Sequence, residues 1–559
     1  MKEKRNLLVV AFIMLALVLS CAGEETADLI ISGGPIYTMD AKNPRVEAVA
    51  MRGDRIVYAG TSAGARAFED EATIVLDIGG RAAYPGFVDA HAHLIGLGKS
   101  LSQLSLVGTR SSEEIRAMVI DKQSSLAGGL WIQGRGWDQN DWSEKEFPTW
   151  RDLQGTEANP ICLRRVDGHA AWVNRKALEL CGITRNSAEP AGGRIIRDEN
   201  GDPTGVFIDD AIDLISDHIA DPTLQEKITW AKLAIQECNR YGLVGVHDAG
   251  IHALDLAAYI KLHGTGELTM RIHAMVDADS AEFLMRHLRK GRSELAGGQI
   301  IVGAVKMYVD GALGSRGAAL LEPYDDDPLN KGLLVTPPDS LYKLARLALE
   351  HGFQACTHAI GDAGVRATLD AYEKALRDYA RGDHRFRIEH AQVVSPQDIP
   401  RFAALGVIPS MQPTHATSDM YWAQDRVGAE RIRGAYAWRT FIEQGCRIPC
   451  GSDFPAEGVN PLWGIYAAVT RMDKDGWPEG GWRPDERMTM QEAIEGFTIN
   501  AAFASFSEKR CGSIEAGKFA DITILDKDLF DIPPREILNT RVVYTIVGGK
   551  VVYSNPASH

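Results

Sequence analysis

Positive charge is in short supply in this chain. Lysine and arginine number 60 against 75 aspartates and glutamates, a formal net charge of −15 at pH 7. A surface of that sign aids solubility and argues against nucleic acid as a partner. Cysteine is sparse too, with eight in 559 residues. With Cys21 set aside, the other seven are odd in number and scattered, which excludes a disulfide framework even in an oxidising compartment. Cys446 and Cys450 fall on an expected strand, where about 3.3 Å per residue keeps them too far apart to bond. Low-complexity tracts and internal repeats are absent, so neither a disordered polymer nor a repeat array is at hand.

Long apolar runs are confined to one place. Lys2, Lys4 and Arg5 precede an almost unbroken apolar stretch from Leu7 to Leu19, and polar Gly23-Glu24-Glu25-Thr26 follows soon after. The run is too short and wrongly flanked for a lasting transmembrane helix, and residues 1–20 read as a secretory signal. Val18-Leu19-Ser20-Cys21 resembles a bacterial lipobox, with Val18 a less usual choice than leucine there. The resemblance implies cleavage before Cys21 and lipid on that cysteine. The mature protein is then expected as a periplasmic or cell-surface lipoprotein that meets a bacterial membrane only through its N-terminal lipid. Plain secretion, with Cys21 a bystander, is the alternative. Loss of the leader removes three basic residues and one acidic one, taking the net charge to −17.

What remains is ordinary globular material, 45% hydrophobic and 24% charged. Residues 27–83 have the grammar of hairpins: Leu29-Ile30-Ile31, the Gly33-Gly34 turn, then Ile36 to Met39. Residues 510–555 repeat it around the Gly548-Gly549 turn. Each end alone is too small for a good core, so the two are expected to form one composite β-sandwich. Between them, in residues 84–509, apolar runs alternate with helical stretches, the signal of a parallel sheet. Eight candidate strands end near His93, Asp248, Val276, Tyr308, His358, His390, Gln412 and Asp453. This predicts an α/β fold, a TIM (β/α)8 barrel. A long insertion, residues 100–235, separates the first two strands. It holds its own hairpin and Trp131, Trp137, Trp142, Trp150 and Trp172, and reads as an α+β lid or substrate-recognition subdomain. The tryptophans suggest an apolar or aromatic substituent on the substrate.

The chemistry lies at the strand ends. His91 and His93, two apart on a strand, point the same way after Pro85-Gly86. Lys306 interrupts an apolar strand, a costly place for an amine unless it is paired or chemically altered. His358, His390 and Asp453 end three further runs. A parallel barrel gathers such ends at one mouth, where four imidazoles, a carboxylate and a lysine would hold one or two hydrolytic divalent metals.

These residues resemble the amidohydrolase superfamily. The Lys306–Gly311 segment with Ala312-Leu313-Gly314-Ser315-Arg316, Gly136-Trp137-Asp138-Gln139-Asn140 and Asp167-Gly168-His169-Ala170 resemble its amidohydrolase-3 branch, which is similar to N-substituted formamide deformylase. The resemblance implies that His91, His93 and Asp453 hold a buried metal. It also implies that His358 and His390 hold a second, and that Lys306, carbamylated by carbon dioxide, bridges them. Two zinc ions suit the donors, with manganese, cobalt or iron as alternatives. The expected reaction is hydrolysis of a small-molecule, non-peptide amide or formamide-like C–N bond by metal-activated hydroxide. Asp453 accepts the water proton and passes it to the leaving amine. Arg316, Asp310, His169 and Asp138 are candidate substrate contacts; a salt bridge, a cap or a buried hydrogen bond is the competing use of each. Ester, lactone or cyclic imide hydrolysis on the same metals stays open, as does a non-catalytic solute-binding lipoprotein. Composition leaves homo-oligomerisation undecided.

Overall fold

The computed structural model describes residues 26–165, 170–190, 193–379 and 382–556. The expected leader, its lipidation site Cys21 and the candidate substrate contact His169 lie outside the described residues. The chain divides into two compact units. One comprises the stretch up to Leu94 together with Ile235 onward, and the other is Ile95–Ala234.

The first unit contains a parallel barrel sheet. Its strands are β1 (Phe87–Ala92), β2 (Leu243–Ile251), β3 (Arg271–Asp277), β4 (Ile300–Tyr308), β5 (Gln354–Ala359), β6 (Arg387–His390) and β7 (Ile408–Ser410). They pair in chain order, each parallel to the next. Such strands are buried on both faces, which is why they read as apolar runs rather than alternating ones. Helices α1 (Pro338–Glu350) and α2 (Asp362–Asp378) supply the connections around β5.

The eighth expected strand does not form as a regular one. Residues 449–453 nevertheless bridge β7 and β1. Met411 N–H donates to Pro449 O (3.1 Å), Ala90 N–H to Cys450 O (3.0 Å) and Asp453 N–H to His91 O (2.8 Å). Pro449 has no N–H for a ladder, and Asp453 turns to φ +61°, so regular pairing stops there. Gly451 lets the segment approach β1, since a Cβ there would stand 2.5 Å from His91 N.

Strands from both chain ends join in a second sheet. Ala82–Pro85 pairs antiparallel with Ile522–Leu525, uniting the N-terminal hairpins with the C-terminal ones. Ile31, Ile36 and Val49 from one end pack with Ile522, Ile524 and Ile546 from the other.

The Ile95–Ala234 unit has its own six-stranded sheet. Trp137, Trp142 and Trp172 pack on one another there at 6.0–6.4 Å. Their indole N–H groups donate to Leu163 O, Thr109 O and Thr149 O. This corrects the expectation that these rings meet a substrate, because they are the unit's core with their polar handles already used.

All seven cysteines in the described region are free. Among the described residues, no helix is long and apolar enough to cross a membrane.

Candidate metal centre

The barrel's parallel register sets the level of each polar side chain. Tyr308 is level with His358, and Ala359 with His390. The ends of β1, β4, β5 and β6 therefore face one another across the mouth with the 449–453 segment. His390 and Asp453 both adopt positive φ, +72° and +61°. Non-glycine residues hold that conformation at a cost, which is tolerated where a side chain must be aimed.

Their donor atoms converge. Nε2 of His93 is 3.2 Å from Asp453 Oδ1, and Nε2 of His91 is 3.6 Å from it. Lys306 Nζ lies 3.2 Å from His91 Nε2. Ring centres of His91 and His390 are 4.8 Å apart, and those of His358 and His390 4.5 Å. Donors around a tetrahedral zinc sit roughly 3.3 Å apart, the consequence of bonds of about 2.0–2.1 Å. The spacing around Asp453 Oδ1 matches. Moreover, His358 Nε2 and Asp453 Oδ1 are buried without a hydrogen-bond partner of acceptable geometry. Orphaned buried acceptors are costly, and a cation beside each would satisfy it. The residues present fit a divalent metal.

Three imidazoles are held from behind. Nδ1 of His91 meets Glu389 Oε2 at 2.5 Å, that of His93 meets Ala249 O at 2.9 Å, and that of His390 meets Gln412 Oε1 at 2.8 Å. Each contact places the hydrogen on Nδ1 and leaves Nε2 free as a ligand. Glu389 is itself fully buried and paired with Arg387, also fully buried. Arg387 further donates to Ala90 O (2.6 Å) and Ser410 Oγ (2.8 Å) and contacts His247 Nδ1 (2.9 Å). Burial raises the Glu389 carboxyl, yet Arg387 and His91 more than offset this and hold it well below the usual carboxylate range.

Glu389→Gln keeps the shape and removes the charge. It should weaken metal affinity by about 10–100-fold and lower the melting temperature, because Arg387 is left uncompensated. Titration of the apo-variant with zinc checks this; unchanged affinity contradicts it.

Charge states follow from burial. Desolvation first, and the Lys306 charge second, push His91 down to about 4 and His358 to about 3. The same burial, with His358 and His91 beside it, puts His390 well below its ordinary value. These rings are therefore neutral and ligand-ready at neutral pH. Unfolded imidazoles titrate near 6.5, so as pH falls the unfolded chain takes up protons first. The share of the metal-free protein's stability that these rings contribute is full above about pH 6.5 and is lost as pH drops toward about 4. Melts of chelator-treated protein from about pH 7 to about pH 5 should show a steady fall; a flat profile contradicts it. Burial raises Asp453, but His93, His91, His390 and His415 outweigh it and hold the carboxyl well below its usual range.

Of the candidate substrate contacts, the described ones, Arg316, Asp138 and Asp310, are otherwise engaged. Arg316 is bidentate on Asp326 (3.1 and 2.9 Å), which also binds Arg426. Asp138 pairs with Arg165 at 2.5 Å. Asp310 accepts backbone N–H bonds from Ala319, Ile360 and Gly361 at 2.8–3.0 Å, clamping the loops after β4 and β5. Its nearest approach to the histidines is 3.9 Å, to His358 Nε2. Each has the structural use that competed with substrate contact.

Sequence reasoning passed over Glu389, Arg387, Gln412 and His415. His415 sits in the first turn of α3 (Pro413–Asp419), with Nε2 3.9 Å from Asp453 Oδ2. It joins His390 and Asp453 in a set whose donor atoms all lie within 4.8 Å. The available signal was proline at the start of a helix directly after a barrel strand, which marks the mouth.

Comparison with known proteins agrees with this geometry. The amidohydrolase family model matches residues 75–553. YtcJ of Bacillus subtilis is 35% identical over 531 residues, covering 93% of this chain and 98% of its own. N-substituted formamide deformylase of Arthrobacter pascens is 29% identical, covering 96% of this chain and all of its own. The solved structure of an uncharacterized metal-dependent hydrolase from Pyrococcus furiosus superposes with TM-score 0.77 at 30% identity, over 91% of this chain and 99% of that one. The chain is thus an enzyme, a metal-dependent hydrolase of carbon–nitrogen bonds. It belongs to the amidohydrolase family, in the amidohydrolase-3 branch.

Proposed function

We propose that the protein hydrolyses a non-peptide, formamide-like amide at the barrel mouth. The observation that carries this is the approach of His91 and His93 Nε2 to Asp453 Oδ1, with Lys306, His358 and His390 alongside. Likeness to a formamide deformylase supports the choice of bond.

His91, His93 and Asp453 would hold one metal and His358 and His390 a second, with Lys306 between them. A bound divalent metal supplies Lewis acidity, lowering the pKa of water and polarising a carbonyl oxygen. Zinc suits these nitrogen and oxygen donors. Lys306 is 1% exposed, and desolvation shifts it toward the neutral amine, the form that attacks carbon dioxide. Attack forms a nitrogen–carbon bond as one carbon–oxygen π bond of carbon dioxide opens, one amine proton leaves to solvent, and the resulting anionic carbamate would be a further ligand for the metals. Asp453, kept ionised by its histidines, takes a proton from the attacking water and delivers it to the departing nitrogen.

We assign substrate recognition to the insertion, Ile95–Ala234, which follows His91 and His93 in the chain. Export and lipid on Cys21 belong to the same reading, supported by the leader's charge pattern; globomycin-sensitive labelling with a radioactive fatty acid tests them, and no label excludes the anchor.

Elemental analysis followed by a panel of formamides, esters, lactones and cyclic imides on one preparation tests the activity. Turnover of N-benzylformamide well above that of the matched ester supports the amide reading. Preference for any of the other bonds replaces it.

A further inference from the structure

The structure assigns to His415 a catalytic contact: its Nε2–H donates to the carbonyl oxygen of the scissile amide. The inference rests on the amide reading above and extends it to a residue outside the six-residue ligand set.

Asp453 is shared between two sides. Its Oδ1 faces His91 and His93, while its Oδ2 faces His415 Nε2 at 3.9 Å. That gap is too long for a hydrogen bond. His415 Nε2 therefore keeps its hydrogen for a guest rather than spending it on Asp453. The nearby carboxylate oxygen favours the tautomer with hydrogen on Nε2.

Three features separate His415 from the ligand histidines. His91, His93 and His390 are each anchored through Nδ1, whereas no hydrogen bond among the described residues anchors the His415 ring. It arrives on the helix α3 rather than at the end of a barrel strand. Its ring instead stacks parallel on His390, centres 5.9 Å apart and planes within 12°. That places it beside His390, the expected ligand of a second metal.

The surroundings fit an oxygen guest. His415 and His390 line a small recess of about 10 Å³, walled by Met411, Gln412, Tyr436 and Trp438. Gln412 is 3% exposed, and its Oε1 accepts from His390, yet its Nε2 has no partner. A buried amide donor without an acceptor costs about 1–3 kcal/mol. A guest oxygen that accepts from this amide removes that cost, and the recess has room for little more than that one atom. A donor aimed at an oxygen that gains negative charge in the transition state speeds turnover by about 10²–10³-fold.

The test uses the metal-loaded full-length enzyme, with His415→Phe, which keeps a stacking ring, and His415→Asn, which keeps a donor. Substrate is N-benzylformamide, and the probe is the methylphosphonamidate of benzylamine, a tetrahedral mimic, titrated by calorimetry. The expected result for His415→Phe is kcat down by about 10²–10³-fold with KM within a few-fold. Mimic affinity should weaken by a similar factor at unchanged metal per chain, and His415→Asn should recover part of the loss. Loss of metal would make His415 a ligand and overturn the proposal. So would a change in KM alone, or no change. A wild type inert on formamides but active on phenyl acetate removes only the amide reading, and the same ratios on the ester then judge His415. A wild type inert on both removes both.

Discussion

Asp453→Asn should lower kcat by about 10²–10⁴-fold, the range for losing a positioned proton carrier, while most of the metal stays bound. The reason lies in what the substitution preserves. Asparagine keeps an oxygen where Oδ1 meets His91 and His93 at 3.6 and 3.2 Å. It loses the negative charge that four surrounding imidazoles now stabilise. The variant can still hold a cation through its histidines but cannot receive a proton from water. Stopped assays with elemental analysis on the same sample check this. Turnover close to wild type would remove Asp453 from proton transfer, and full loss of metal would show a purely structural ligand.

Lys306→Ala should be as damaging by a different route. Nζ sits 3.2 Å from His91 Nε2 in a buried position, so the substitution removes a group held directly beside the ligands. Without its bridge, one metal should be lost and activity should fall by at least about 100-fold, the upper range for losing a group that merely supports a ligand. Intact-mass measurement of the wild type under gentle conditions should show a species heavier by one carbon dioxide, absent from the variant. A bare lysine in a fully loaded two-metal enzyme would contradict the bridge, whatever the variant's activity.

Much of this architecture was legible because parallel barrel strands are short apolar runs with chemistry at their ends. Lys306 stood out on β4 for that reason, as one amine among Ile, Val, Ala and Met. His358 and His390 became readable only as members of a series, since either alone is an ordinary buried histidine. The segment before Asp453 was harder. Pro449, Gly451 and a positive φ at Asp453 break the regular ladder that an apolar run implies. Pairwise contacts were invisible. Arg316 and Asp326 are ten residues apart, and Asp138 and Arg165 twenty-seven, distances that no periodicity connects. Glu389 and Arg387 were hidden by their neighbour. Strand alternation puts both on one face, inside the barrel, where they steady His91 rather than bind anything themselves, and the positive φ of His390 breaks the alternation and brings its ring to the same mouth. His415 escaped because it arrives on a helix, one turn past the strand end that carried the search.

The account turns on one arrangement, and anomalous diffraction at the zinc edge from crystals of the purified protein tests it most directly. It predicts density within bonding reach of His91, His93 and Asp453, and a second peak by His358 and His390, with the Lys306 tip between them. Peaks elsewhere, or none at the barrel mouth in protein that retains activity, would contradict it.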